Sequence, residues 1–286
     1  MDLIFPNELF LDLFEYLSHI DLYRCFYGLN SRINSIVREH LTCISLFPSD
    51  LADNETSYCI QQMILKFCEQ IIYLRLGSVS IPVEIFTNLQ TLKLQYPYVR
   101  QLNQIHSTTF PYLKTLCVIG FNKRSVTQEY EQLYCRIFYG EFDSLLQLEL
   151  PYIRSYLDHQ ISSKCLLEYL KIGRSSQRNV CLLIQNLVHL KTLSVGLDRD
   201  NKWTSRMDYN NPTLTRLDLK VFHNSMTFDE IEDLLTHVLN LTYFTFTSEY
   251  LQYSQFRSKL KDLLSKRLIS GSIKFIFNVP QISEIQ

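Results

Sequence analysis

LLEYLKIGRSSQRNVCLLIQNLVHLKTLSVGL, residues 166–197, contains two copies of one short apolar pattern with a helical segment between them. The copies are the triplets Leu167, Leu170, Ile172 and Leu190, Leu193, Val195. Apolar residues at alternate positions predict a short strand with one buried face, and residues 180–187 between the copies predict a helix. Such a unit cannot bury its apolar face alone, so neighbouring units are expected to stack into a parallel sheet.

The same triplet recurs along most of the chain. Eight copies begin between residues 71 and 241 at intervals of 18 to 32 residues, and a ninth begins at Leu41. Further helices are predicted between the copies at residues 58–70, 128–139 and 227–238, the last of which opens with the capping box Thr227-x-x-Glu230. The eight copies begin at Ile71, Leu89, Leu113, Leu145, Leu167, Leu190, Leu214 and Leu241.

This pattern resembles the leucine-rich repeat in spacing and in unit length. The resemblance implies an α/β fold in which a curved parallel sheet carries helices on its convex side. The chain departs from the family three residues after each third apolar position, where the family has Asn or Cys to hydrogen-bond the turn. The turns must therefore find other polar partners, and a non-repeat α/β domain is the alternative for this region. The departing residues are Val79, Pro97, Phe121, Ile153, Ser175, Asp198, Phe222 and Glu249.

The first forty residues carry a different pattern, typical of three short helices. Pro6 suits a first helical turn, and Leu9, Leu13, Phe14 and Leu17 follow at helical spacing. Caps and apolar positions indicate the second and third helices: Asp21, Leu22, Cys25, Phe26 and Leu29, then Asn30, Ile33, Ile36 and Val37. So small a unit is marginal by itself, so its apolar faces need the rest of the chain or a partner.

FPNELFLDLFEYLSHIDLYRCFYGLNSRI, residues 5–33, resembles an F-box. The matching residues are Pro6-Asn7-Glu8, Leu9, Leu13-Phe14, Tyr16-Leu17, Asp21-Leu22 and Leu29, whereas Phe5 stands where the family usually has Leu and Ile33 where it has Trp. The resemblance implies docking onto the Skp-type adaptor of cullin–RING ubiquitin ligases, and through it onto a cullin, as a variant of helix-in-groove recognition. The adaptor-binding residues that it implies are Pro6, Leu9, Leu13, Phe14, Leu17 and Leu22.

The two resemblances together predict two domains. Residues 1–40 form the F-box, and residues 41–286 form the degenerate leucine-rich-repeat-like solenoid, closed by a C-terminal cap that includes a helix at 255–269 and a strand at 272–277. The alternative for the first forty residues is a plain helical cap that closes the domain after it.

Composition favours a globular intracellular protein. The 286 residues are 46% hydrophobic with a net charge of -1, whereas nucleic acids and anionic membranes attract a basic excess. Acidic residues interrupt the apolar N-terminus and no run reaches the length of a membrane span, so we expect neither a signal peptide nor a span. The expected compartment is the cytoplasm, with the nucleus left open. Eight unclustered cysteines with apolar neighbours predict reduced thiols in the core.

The sequence shows no catalytic or cofactor-binding motif. It contains no G-x-x-x-x-G-K-[ST], G-x-S-x-G or H-E-x-x-H, and its seven histidines lack ligand spacing. We therefore expect no cofactor, no metal and no catalytic residue, and predict a non-catalytic substrate-recognition subunit of an SCF-type ubiquitin ligase. The rival hypotheses are a leucine-rich-repeat scaffold with no role in ubiquitination, and an enzyme of unknown type.

The positions between the apolar residues of each strand predict where a protein substrate binds. Strand side chains alternate, so these positions face the concave side of the predicted solenoid in two rows. The first row has three tyrosines and an arginine, types that are enriched at binding hot spots, and we expect the substrate between Tyr73 and Tyr169. The alternative is the polar loop 200–211 with Trp203. The candidate residues are Tyr73, Arg75, Lys93, Tyr169, Lys171, Arg216 and Tyr243.

Overall fold

In a computed structural model, the chain forms two compact units, residues 1–133 and residues 134–286. The structure describes residues 6–51, 54–120, 127–153, 161–198, 211–222, 227–248 and 258–259. Several predicted features lie outside the described residues: Phe5, residues 200–210 with Trp203, the strand at 272–277, and all of the helix at 255–269 except residues 258–259.

The described part of the first unit alternates helices with short strands. Three turns of 3-10 helix, Pro48–Leu51, Cys68–Gln70 and Val83–Ile85, join some of them. The helices are α1 (Asn7–Phe14), α2 (His19–Phe26), α3 (Ser31–His40), α4 (Asn54–Phe67) and α5 (Val99–Asn103), and the strands are β1 (Cys43–Leu46), β2 (Tyr73–Leu76), β3 (Thr91–Gln95) and β4 (Thr115–Ile119).

The described part of the second unit repeats the same alternation. Helix α6 (Thr127–Phe138) crosses the division between the units and precedes the first strand of the second unit. The elements that follow are β5 (Gln147–Leu150), β6 (Tyr169–Ser175), α7 (Gln177–Asn186), β7 (Thr192–Leu197), β8 (Arg216–Val221), α8 (Phe228–Thr236) and β9 (Tyr243–Ser248).

The strands of each unit pair in parallel and in chain order, β1 to β4 in the first and β5 to β9 in the second. The apolar positions of neighbouring strands lie in register, as where Leu74 stands between Ile44 and Leu92. These side chains are fully buried. The period-two pattern therefore gives each sheet one apolar face. The α/β class and the predicted parallel strands are confirmed, including the ninth copy that begins at Leu41.

The predicted helices between the strands are also present, with small changes in their bounds. Residues 58–70, 128–139, 180–187 and 227–238 correspond to α4, α6, α7 and α8. The predicted capping box forms at α8, where the Thr227 N–H donates to Glu230 Oε2 at 2.6 Å and the Glu230 N–H donates to Thr227 Oγ1 at 3.4 Å. The five-residue helix α5 was not predicted, because five residues show no periodicity.

In the first unit a buried glutamine replaces a missing turn asparagine. Gln101 of α5 donates from Nε2 to the carbonyls of Val79 and Ile81, both at 2.9 Å. Its Oε1 accepts the backbone N–H of Tyr98 at 3.0 Å. Val79 is one of the positions at which the chain departs from the family pattern, so this turn is satisfied by an amide about twenty residues further along the chain.

In the second unit a buried asparagine hydrogen-bonds the backbone of two segments. Asn211 is 1% exposed, and its Nδ2 donates to the carbonyls of Ile184 at 2.7 Å and Leu187 at 3.1 Å. Its Oδ1 accepts the N–H groups of Thr213 and Leu214, both at 3.0 Å, and the Thr213 hydroxyl at 2.9 Å. One side chain thus joins the end of α7 to the segment that enters β8.

The caps of the N-terminal helices differ from the prediction at one position. The Ser18 Oγ accepts the backbone N–H of Asp21 at 3.1 Å, so α2 begins three residues earlier than predicted and Ser18, not Asp21, is its N-cap. Asp21 lies in the first turn, where its carboxylate accepts a hydrogen bond from the Ser18 hydroxyl and interacts favourably with the positive end of the helix dipole. The predicted cap Asn30 is confirmed, because its Oδ1 accepts the Ile33 N–H at 2.8 Å.

Aromatic rings hold the N-terminal helices together and join them to α4. The buried Phe14 ring meets the Phe26 ring edge-on with centroids 4.9 Å apart. Tyr23 of α2 and Tyr27, the residue after α2, meet the Phe67 ring of α4 edge-on at 6.0 Å and 5.2 Å. Ring contacts of this kind stabilise the fold by more than the apolar area that they bury would. The boundary predicted after residue 40 stays a prediction, since these helices belong to the first compact unit.

Protonation of His19 is expected to weaken the N-terminal helices at acidic pH. Burial, and then the nearby His40, lower the pKa of His19 below its usual value of 6.5. The unfolded chain then binds this proton more readily than the folded chain. The free energy of unfolding therefore falls as the pH drops through the usual pKa, and the loss levels off below the lowered pKa.

The measurement is urea unfolding across this pH range for the wild type and for His19→Gln. The stability advantage of the wild type over the variant should shrink towards acidic pH. Parallel pH profiles for the two proteins would contradict the expectation.

The cysteines correct one expectation. All eight are free thiols, but only Cys117, Cys165 and Cys181 are buried, while Cys25 and Cys43 are exposed. Burial raises the pKa of Cys165 to about 11 and that of Cys181 to about 12. The prediction of core thiols fails for Cys43 because it stands at a face position of β1, the first strand in the order, where alternation points its side chain away from the apolar side and only β2 lies beside it.

Candidate functional site

A stripe of apolar side chains lies exposed along α1 and just beyond its end. Pro6, Leu9, Leu13 and Tyr16 recur every three or four residues, a spacing that places them on one side of the helix. The side chains of Leu9, Leu13 and Tyr16 are 52%, 46% and 86% exposed. We call these four residues the α1 surface. Exposed apolar side chains that are grouped in this way mark interaction sites more often than single ones do.

An adjoining side of α1 is held against the rest of the unit. The Phe10 ring lies 6.1 Å from the Phe14 ring, and the Arg32 guanidinium of α3 stands 6.0 Å over Phe10. Arg32 also donates from Nε to the Asn7 Oδ1 at 2.8 Å. These contacts orient α1 about its axis, so that the α1 surface points outward.

The predicted adaptor-binding residues divide into two groups. Pro6, Leu9 and Leu13 are exposed, whereas Phe14 and Leu22 are each 1% exposed and Leu17 is half-buried. The prediction that Phe14 and Leu22 contact the adaptor is therefore corrected. These two residues pack inside the unit and position the helices. Tyr16 was not among the predicted site residues, although its place three residues after Leu13 was the signal for it.

The exposed face of the first unit's sheet carries two cations. Arg75 and Lys93 lie in register on β2 and β3. Arg75 stands over the Phe47 ring with its Cζ 5.1 Å from the centroid, and Lys93 stands over the Tyr73 ring with its Nζ at 5.4 Å. We call this surface the first-unit face; its residues are Cys43, Ser45, Tyr73, Arg75, Thr91, Lys93, Gln95, Thr115, Cys117 and Ile119.

The corresponding face of the second unit carries carboxylates beside its cations. Lys171 forms an ion pair with Glu149 on the neighbouring strand. Arg216 donates from Nε to Asp218 Oδ2 at 3.0 Å and stands 4.2 Å over the Tyr243 ring. The hydrogen bond to Asp218 raises the pKa of Arg216. We call this surface the second-unit face; its residues are Gln147, Glu149, Tyr169, Lys171, Thr192, Ser194, Gly196, Arg216, Asp218, Lys220, Tyr243, Thr245 and Thr247.

The predicted rows of face residues are confirmed within each unit. Tyr73 stands in register with Thr91 in the first unit, and Tyr169 stands beside Gln147 and Thr192 in the second. The structure brings the candidates Tyr73, Arg75 and Lys93 together in the first unit. It places Tyr169, Lys171, Arg216 and Tyr243 on the second-unit face. Substrate binding between Tyr73 and Tyr169 stays a prediction.

A cluster at the ends of β3 and β4 was not predicted. Tyr96 has a φ of 52°, which is rare for a bulky residue, and its N–H donates to the Ile119 carbonyl at 2.8 Å. Its ring lies on Gly120, where an added Cβ would be 2.4 Å from the Tyr96 Cε1. Tyr96, Tyr98 and Ile119 are all exposed. The signal in the sequence was the pair of tyrosines flanking Pro97 directly after a strand, where the polypeptide leaves the sheet.

The described residues offer no group of three His, Cys, Asp or Glu side chains that could hold a metal ion. Within the same described segments, no helix combines the length and the apolar character needed to cross a bilayer. No protein-family model matches the sequence, and no curated protein matches it. The two kinds of surface, apolar on α1 and polar on the sheets, are therefore interpreted from their own geometry.

Proposed function

We propose that the chain is the substrate-recognition subunit of an SCF-type ubiquitin ligase. Residues 1–40 act as the F-box, and the region from residue 41 acts as a degenerate leucine-rich-repeat solenoid that binds a protein substrate. The observation that carries the proposal is the α1 surface: the first of three short helices packs Phe14 inside the unit and leaves Leu9, Leu13 and Tyr16 outside. It coincides with the residues that resemble an F-box.

The α1 surface can supply a large part of the binding free energy of a complex. Burying an apolar side chain contributes about 1.5–3 kcal/mol, so its four members contribute roughly 6–12 kcal/mol before costs. Association and side-chain ordering offset an estimated 4–15 kcal/mol of any gross gain. Binding to a groove of the Skp-type adaptor therefore needs all four side chains and further contacts, for which the exposed Leu29 is a candidate.

The parallel sheets support the second half of the proposal. Helices alternate with strands whose apolar positions stack in register, the arrangement expected of stacked repeat units. The polar faces of the sheets then present the substrate. In this role the chain makes and breaks no bond itself: it raises the effective concentration of substrate lysines near the charged ubiquitin-conjugating enzyme.

The test is reconstitution of the full-length chain with a Skp-type adaptor and a cullin–RING complex. We expect the chain to co-elute with the adaptor in a stoichiometric complex and to recruit the cullin only when the adaptor is present. We also expect adaptor-dependent transfer of ubiquitin to the bound chain. A folded chain that binds no adaptor would overturn the proposal and favour the scaffold without a role in ubiquitination.

A further inference from the structure

We infer that the first-unit face binds an acidic segment of the protein partner, whose carboxylates are held by Arg75 and Lys93. The inference deepens the proposed function, and it rests on that function for the statement that the partner is a ubiquitination substrate. The binding itself requires no adaptor, so it is tested separately.

The charge balance of the two faces distinguishes them. The second-unit face has three cations and two carboxylates: Lys171 pairs with Glu149, Arg216 pairs with Asp218, and Lys220 stands over the Phe222 ring. The first-unit face has two cations and no carboxylate. Among the residues that the structure describes, neither Arg75 nor Lys93 forms an ion pair. The first-unit face therefore has a positive charge that only a ligand or bulk ions can balance.

The two cations are also neighbours. They stand in register on adjacent parallel strands, whose spacing is about 4.8 Å. Like charges directly across a sheet repel each other and destabilise the pair. A bound carboxylate pair would remove this repulsion and form charge-assisted hydrogen bonds, which are stronger than neutral ones. The arrangement thus costs stability in the free protein and is relieved by an anionic partner.

Aromatic rings hold both cations in place before any ligand arrives. The rings of Phe47 and Tyr73 lie under Arg75 and Lys93, so fewer side-chain conformations remain to be lost on binding. Ser45 stands in register beside Arg75, and its hydroxyl adds a hydrogen-bond donor next to the cations. Two separate cations, each fixed on its own ring, suit successive carboxylates of an Asp- or Glu-rich segment.

The acidic residue nearest to Phe47 along the chain is already engaged. Asp50 follows Phe47 by three residues, and its Oδ2 accepts the Phe47 backbone N–H at 2.7 Å. Glu84 of the first unit lies 3.7 Å from Arg100, and Glu55 pairs with Arg24. These carboxylates are committed to partners other than Arg75 and Lys93.

The experiment measures binding of a fluorescent peptide of alternating Glu and Ser to the full-length chain by fluorescence polarisation. The same peptide with Gln in place of Glu is the neutral control. We expect the acidic peptide to bind, the neutral one not to bind, and the affinity to fall as salt is added. Arg75→Gln with Lys93→Gln should weaken binding by roughly tenfold or more.

The matched control variant removes two other exposed lysines, Lys114→Gln with Lys191→Gln, and changes the net charge by the same amount. It should bind the acidic peptide as the wild type does. Equal weakening in both variants, equal binding of the neutral peptide, no binding by the wild type, or full competition by a single-stranded oligonucleotide would each overturn the inference. Peptide binding without adaptor binding would sink the proposed function alone, and adaptor binding without peptide binding would sink this inference alone.

Discussion

Aspartate at both Leu9 and Leu13 is expected to abolish binding of the Skp-type adaptor. The two side chains are the most regular part of the α1 surface, one helical turn apart and both about half exposed. Each substitution removes about 1.5–3 kcal/mol of favourable apolar burial from the complex, and each introduces a carboxylate that the complex would have to desolvate. A loss of at least about 100-fold in affinity follows, since each 1.4 kcal/mol is tenfold.

The measurement is the dissociation constant for the adaptor, determined together with the free energy of unfolding. Leu9 and Leu13 are exposed, so the variant should fold as the wild type does, within about 0.5 kcal/mol. The matched control is Leu65→Asp with Leu239→Asp, which places two aspartates at other exposed leucines. It should bind the adaptor normally. Equal adaptor affinity for the Leu9/Leu13 variant and the wild type would contradict the assignment of the α1 surface.

Phe14 gives a second way to separate the two roles of α1. Its side chain is buried against Phe26 and beside His40, so Phe14→Ala acts on the fold and not on the contact. Any adaptor binding that this variant loses should therefore be accompanied by a lower free energy of unfolding, whereas the Leu9/Leu13 variant loses binding alone. The two variants together distinguish a docking residue from a residue that positions the helix.

Asn211→Ala is expected to destabilise the second unit by about 3–5 kcal/mol. The substitution removes five hydrogen bonds from a buried site. It leaves the carbonyls of Ile184 and Leu187 and the N–H groups of Thr213 and Leu214 without this partner. Each buried polar group left unsatisfied costs about 1–3 kcal/mol, and water entering the gap lowers the sum.

Urea unfolding of the two proteins measures this loss. Asn186→Ala is the matched control, because the half-buried Asn186 donates one hydrogen bond, to the Leu182 carbonyl at 2.8 Å, and its loss should cost about 1 kcal/mol. Similar stability losses for the two variants would show that the Asn211 amide does not hold α7 to the segment that enters β8.

Charge pairing on the sheets was partly readable from the sequence. Because strand side chains alternate, the predicted second row already placed Arg75 next to Lys93, and Glu149 next to Lys171. The ring contacts were not readable, since the Phe47 under Arg75 follows β1 in a turn whose path has no periodicity. The strained Tyr96 is similar: its conformation depends on the Ile119 carbonyl, which comes from the next strand.

By itself, the sequence determined the order, direction and register of the strands in each unit, because alternating apolar residues can be buried in only one register. It also determined several helix starts, because a cap such as Asn30 or Thr227 binds backbone three residues away. Only the tertiary structure decided which apolar side of α1 is buried, since Leu9, Leu13 and Phe14 are equally hydrophobic and the choice depends on α2 and α3. It alone revealed Gln101 and Asn211 as turn partners, because their hydrogen bonds join residues about twenty or more positions apart.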